Sequence, residues 1–118
     1  MEQITIVVVD DEKEIADLVE IYLVSDGYRV LKAGNAQEGL EILNKEEVHL
    51  VLLDIMMPGK NGYQTCVSIR KNCNAPVLFL SARTQDSDKT LGFSSGGDDY
   101  LAKPFSYNEL IKIGRAHV

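Results

Sequence analysis

The sequence predicts an α/β fold, a doubly wound sheet of five parallel strands with helices on both faces. Three observations predict it. Short apolar runs alternate along the chain with stretches whose apolar residues recur at helical spacing. Two of those runs, at 50–53 and 76–80, are apolar throughout, as strands covered on both faces are. With 118 residues, 45% hydrophobic and 25% charged, the chain suits one domain with a proper core.

The elements run in order. A β-branched run at 4–9 is the first strand, and 12–24 places Ile15, Ala16, Leu18, Val19, Tyr22 and Leu23 on one helical face. Gly27 then supplies a helix stop, and 28–33 alternates apolar and basic residues as a less buried strand does. Asn35 and Glu38 form a capping-box pattern ahead of Leu40, Ile42 and Leu43, which predicts a helix to Lys45. The third strand, at 50–53, is followed by the loop PGKNG at 58–62, a helix over 63–71 and the fourth strand at 76–80. A polar helix is expected over 86–95, closed by Gly96 and Gly97, then a short strand at 100–102 and a last helix from 107 to about 113.

Five such strands in a chain of this length suit the flavodoxin-like order 2-1-3-4-5, in which ligands bind beyond the carboxyl ends of the strands near strands 1 and 3. Both of those strands end on acid: VVVDD closes on Asp10 and Asp11, and VLLD closes on Asp54. Carboxylates brought together repel unless a cation compensates, and an oxygen-only set favours a hard ion such as magnesium. Helix capping is the competing explanation for Asp10 or Asp11. It does not explain Asp54, which Ile-Met-Met-Pro follows. Ser81 ends strand 4 and Lys103 follows strand 5, so a lysine, a hydroxyl and a carboxylate converge on one crevice. Those groups suit a transferring phosphoryl group, with Asp54 the better candidate for nucleophile.

Charge and composition exclude other classes. A net charge of −6 argues against a chain that itself grips nucleic acid. No apolar stretch approaches the ~20 residues that span a bilayer, and the start lacks a signal-peptide pattern, so a cytoplasmic protein without a membrane segment is expected. Cys66 and Cys73, seven apart and expected in one helix, are read as reduced packing thiols. His49 and His117 stand apart from any cluster that would make a transition-metal site.

The blocks VVVDDE, LVLLDIMMPGKNG, VLFLSA and GGDDYLAKPF, taken together from Ile4 to Leu110, resemble the receiver domain of two-component response regulators. That resemblance implies that Asp54 is the phosphoacceptor for a sensor histidine kinase. It implies that Asp10, Asp11, Asp54 and the backbone carbonyl of Met56 hold Mg2+, that Lys103 pairs with a phosphoryl oxygen, and that Ser81 and Tyr100 are the switch residues. Lys103-Pro104 matches the family's cis peptide, and Pro58 and Gly62 match its acceptor loop. DDYLAKPF is most similar to the OmpR-type subgroup, whose receivers precede a DNA-binding domain absent here. That subgroup dimerises through the helix after strand 4, strand 5 and the last helix. Lys89, Asp98 and Glu109 stand at its contact positions, and Ile113 stands where it has an arginine. A receiver domain is therefore expected over 1–113, with 114–118 a truncated or non-native tail and any homodimer weak.

Three rival functions fit less well. A pseudo-receiver would lack an acid or the lysine, and all five key side chains are present. An aspartyl phosphatase would carry a second acid where Met56 stands. A phosphate-cofactor binder would not place DDEKE after strand 1. The expectation is a signalling switch and not an enzyme with an external product.

Overall fold

The computed structural model describes residues 3–55, 62–81 and 98–118. Five strands lie within them: β1 (Thr5–Val9), β2 (Arg29–Ala33), β3 (Leu50–Asp54), β4 (Val77–Ser81) and β5 (Asp99–Ala102). They form one parallel sheet in the expected order β2-β1-β3-β4-β5. Four helices are described: α1 (Lys13–Ser25), α2 (Ala36–Lys45), α3 (Gly62–Arg70) and a C-terminal helix (Tyr107–His117). The helix expected over 86–95 with Gly96 and Gly97, together with Lys89, Pro58 and Met56, lies outside the described residues.

Period-two alternation divides the sheet's side chains between two cores. Ile6, Val8, Leu50, Leu52, Leu78 and Leu80 face one side, where they meet Ala16, Val19 and Leu23 of α1 and Leu110 and Ile111 of the C-terminal helix. Val7, Val9, Val51, Leu53, Val77 and Phe79 face the other, against Cys66 and Ile69 of α3. Ile6 to Val9 are fully buried, so each contributes roughly 1.5–3 kcal/mol of transfer free energy. This two-sided burial explains why β1, β3 and β4 read as unbroken apolar runs.

Local signals set several boundaries. Asn35 Oδ1 accepts from the Glu38 amide at 2.9 Å, and Glu38 Oε2 accepts from the Gly34 amide at 3.0 Å, so the expected cap of α2 forms with its return bond displaced by one residue. Gly27, at φ 94°, takes the left-handed turn after α1. Cys66 is buried in α3, and burial pushes its thiol above the ordinary range. Cys73 lies beyond the helix end and not within it, because α3 stops at Arg70; both cysteines are free.

The C-terminal helix differs from expectation. It starts on a complete Ser106–Glu109 capping box and continues past Ile113 to His117. Ile113 packs against the first core and Gly114 is buried, so the inner face does extend beyond Leu110. Arg115 then clamps Asp26 at 2.6 and 3.2 Å, and His117 Nε2 meets Asp99 Oδ2 at 3.0 Å. His117 is thus paired with an acid, and His49 Nδ1 accepts from the Thr5 amide at 3.0 Å.

Two glycines predict opposite outcomes. A Cβ at Gly62 would stand 2.6 Å from Ile55 Cα and 2.7 Å from the Asp54 carbonyl, both backbone, whereas one at Gly114 would meet no described atom within 4 Å. Gly62→Ala is expected to destabilise the domain by about 1–3 kcal/mol, the cost of overpacking. Gly114→Ala is expected to stabilise it by up to about 1 kcal/mol through helix propensity. Thermal denaturation of the two variants checks both signs.

Candidate functional site

The site forms where strands β1, β3, β4 and β5 end. Asp10 follows β1, its amide bonded to the Ala33 carbonyl at 3.0 Å, and Asp54 closes β3 opposite Leu80 of β4. Each carboxylic residue is 2% exposed. Ser81, 1% exposed, is the last residue of β4, one step beyond the row of Asp54. Its carbonyl accepts from the Lys103 amide at 2.8 Å, which brings the chain after β5 back over the same edge. The Lys103-Pro104 peptide is cis, as expected.

Lys103 is the centre of the cluster. Its Nζ donates to Asp10 Oδ2 at 2.9 Å and to Glu12 Oε1 at 3.3 Å, and lies 3.5 Å from Asp54 Oδ1. Burial alone would push this ammonium down. The hydrogen bond to Asp10 and the charges of Asp10, Asp54 and Glu12 outweigh it and hold the pKa above the ordinary lysine value. Three carboxylates around one ammonium leave two net negative charges at the site.

Asp10, Glu12 and Asp54 bring carboxylate oxygens within 4.8 Å of one another. Asp10, Asp54, Lys103 and Ser81 therefore meet at one edge as the sequence suggested. Asp11 is not in that group: it is exposed and lines a neighbouring cleft of about 320 Å³ with Lys13, Asp17 and Lys32. Glu12 stands in its place. Asp10 Oδ1 accepts the Glu12 amide at 2.9 Å, and this turn swings the Glu12 side chain toward Lys103. Glu12 is also the backbone N-cap of α1, without a side-chain capping bond of its own. The final acid of VVVDDE was the only local signal for it. Met56, whose carbonyl was expected at the metal, lies outside the described residues.

This donor set fits a hard divalent cation. It offers oxygen alone, two of its three acids are buried while Glu12 is exposed, and its uncompensated charge is negative.

Tyr100 lies apart from the carboxylates, on β5 opposite Phe79. Its ring is half-buried on the second core, 5.3 Å from that of Phe79, and its hydroxyl is hydrogen-bonded to the hydroxyl of Tyr63. Asp98, expected at a dimer contact, holds Arg70 at 2.5 Å and the Val77 amide at 2.8 Å within its own chain.

The sequence matches the family described as response regulator receiver domain over residues 6–115. It is 44% identical over 119 residues to the transcriptional regulatory protein YvrH of Bacillus subtilis, covering 100% of this chain and 50% of that protein. It is 50% identical over 105 residues to the uncharacterized transcriptional regulatory protein YrkP of the same organism, covering 89% of this chain and 45% of that protein. The chain thus spans about half the length of these curated relatives. Among solved structures it is similar to the chemotaxis protein CheY4 of Vibrio cholerae, with a TM-score of 0.96 at 26% identity over 99% of this chain and 100% of that one. It is also similar to the receiver domain of the Francisella response regulator 1452, with a TM-score of 0.88 at 33% identity over 98% and 97%.

Removing Lys103 exposes the repulsion it balances. Lys103→Met is expected to cost about 3 kcal/mol in metal-free buffer, the scale for breaking a buried ion pair. Millimolar magnesium is expected to raise the melting temperature of that variant more than that of the wild type, since the ion no longer competes with an ammonium. Paired melting curves with chelator and with magnesium read both effects.

Proposed function

The chain belongs to the response regulator receiver domain family, and from that premise we propose that Asp54 is its phosphoacceptor, loaded by a sensor histidine kinase. The observation that carries the reading is Asp54 itself, 2% exposed at the end of β3, with Lys103 Nζ 3.5 Å from its Oδ1. Relatives under this family name are signalling phosphoacceptors; the site residues and the order of events here are our own reading.

In this reading an Asp54 oxygen attacks the phosphorus of a phosphohistidine. The new O–P bond forms as the N–P bond breaks, and the departing imidazole takes up a proton. The phosphoryl group arrives negatively charged at a site that already has two excess negative charges. Asp10 and Asp54, with Glu12 or Asp11 and the backbone carbonyl of Met56 as further candidates, would hold Mg2+, which when bound would supply the missing positive charge. Lys103 has donors to spare beyond Asp10 and turns one to a phosphoryl oxygen. Ser81, at the end of the neighbouring strand, donates its hydroxyl to another. The Ser81 bond to the phosphoryl group biases the population of Tyr100 rotamers on the neighbouring strand without displacing β4 itself.

The longer relatives carry names of transcriptional regulators, and we propose that this receiver serves such a regulator, of the OmpR type, in the cytoplasm where histidine kinases draw on ATP. No described helix is long and apolar enough to cross a membrane. Nucleic acid would be bound by an output domain and not by this acidic receiver.

We further propose that any homodimer through β5 and the last helix is weak. Asp98 is engaged by Arg70, and Glu109 by the Ser106 amide at 3.1 Å, so two acids expected to reach a second copy are held at home.

Two measurements test these readings. Incubation with a small phosphodonor and magnesium is expected to add the mass of one phosphoryl group, and to add none in Asp54→Asn or in excess chelator. A gain that persists in Asp54→Asn overturns the assignment. Sedimentation with and without beryllofluoride is expected to show mainly monomer in both conditions, and a tight dimer induced by the mimic would refute the weak-dimer reading.

A further inference from the structure

Three aromatic rings cross the second face of the sheet as a ladder. Tyr63 meets Phe79 edge-on with centroids 5.2 Å apart, and Phe79 meets Tyr100 at 5.3 Å. The hydroxyls of the two outer rings close the ladder with a hydrogen bond to each other, although the residues lie 37 positions apart in the chain. One end of this ladder is rigidly placed. Tyr63 is 9% exposed and follows Gly62, whose amide donates to the Ile55 carbonyl at 2.9 Å. Gly62 lies so close to the Asp54 carbonyl and Ile55 Cα that no Cβ fits between them. The other end lies on β5, an edge strand whose Tyr100 is only half-buried.

From this geometry we infer that Tyr63 is a positioning residue for Tyr100. Its hydroxyl holds the Tyr100 ring inward and ties the inward population to the backbone that carries Asp54. The inference deepens the reading of Asp54 as acceptor and Tyr100 as the moving ring, and rests on it. Ser81 reaches β5 through the strand beside it; Tyr63 reaches Tyr100 across the second face of the sheet, from the first turn of α3. Turning Tyr100 outward breaks the hydroxyl pair and parts its ring from Phe79. Losing one neutral hydrogen bond shifts an inward-to-outward ratio by roughly two- to tenfold. Phenylalanine at position 63 keeps the ring against Phe79 and removes the hydroxyl alone.

The test uses the full chain labelled with 3-fluorotyrosine, whose five tyrosines are assigned by single Tyr→Phe variants. Fluorine NMR is recorded without metal or phosphodonor, so the state of Asp54 does not enter. In Tyr63→Phe the Tyr100 signal is expected to move toward solvent-exposed values and its H2O/D2O isotope shift to grow, with the inward-to-outward ratio falling roughly two- to tenfold. Tyr22→Phe, in the separate Tyr22–Tyr107 ring pair on the other face of the sheet, is expected to leave that signal in place. In the reciprocal variant Tyr100→Phe, the Tyr63 signal is expected to shift. An unchanged Tyr100 signal in folded Tyr63→Phe overturns the inference. If Tyr63→Phe does not fold, an unchanged Tyr63 signal in Tyr100→Phe overturns it. Failure to phosphorylate Asp54 in the mass experiment, with the hydroxyl coupling intact, would overturn the acceptor assignment alone.

Discussion

One ammonium group balances the strand-end acids. Lys103 Nζ stands among Asp10, Glu12 and Asp54, and its side chain is 12% exposed while those of Asp10 and Asp54 are almost wholly buried. Two such carboxylates at adjacent strand ends repel each other, and a nearby positive charge offsets that repulsion. The lysine meets that requirement only because β5 pairs with β4 and the Lys103 amide reaches the Ser81 carbonyl. Sheet order is therefore an electrostatic condition as well as a packing solution. Its partial compensation also leaves the site receptive to further positive charge.

The cores explain how such a costly edge is tolerated. The apolar runs of β1, β3 and β4 bury nearly every side chain on one face or the other, and this burial is local to the strands and indifferent to the residues beyond them. β1 runs into Asp10, β3 ends on Asp54 and β4 ends on Ser81, so the polar groups gather at the carboxyl edge of the sheet. Gly62 extends the same economy of space to the return of the chain, because only a residue without Cβ rests on the backbone of Asp54 and Ile55. The helix that brings Tyr63 to the second core starts at that contact.

Much of this was legible in the sequence, and the exceptions share a cause. Apart from the end of the last helix, the bounds of the described elements fell within a residue or two because β1, β3 and β4 carry unbroken apolar runs of four and α2 carries its Asn35–Glu38 cap. Asp10, Asp54, Ser81 and Lys103 were legible because strand ends in a parallel sheet point to one edge. Glu12 was not, because past Val9 the side-chain direction is set by the bond between its amide and Asp10 Oδ1, not by strand period. The length of the last helix was hidden because Gly114 contributes nothing to an apolar pattern, while Arg115 and His117 are held by partners 89 and 18 residues away. The Tyr63–Tyr100 bond is equally non-local. Residue type announces the chemistry of a site, but contacts made across elements decide which side chains complete it.

The division between rigid and yielding strands bears on how a signal could leave the site. β4 is buried at all five positions, whereas β5, at the sheet edge, has one buried residue in four. A rearrangement of β4 would disturb both cores and cost many contacts, since close-packed interiors yield in discrete steps and not continuously. Turning one half-buried ring on β5 disturbs Phe79 and one hydroxyl pair. That cost is small enough for a single modified carboxylate to bias, provided the bias reaches β5 through groups that do not themselves move far. Ser81 on β4 and Tyr63 beside Gly62 both meet that condition, being buried and anchored to backbone next to Asp54. The stiffness of the central strands leaves Tyr100, on the edge strand, among the less costly of the described core groups to move.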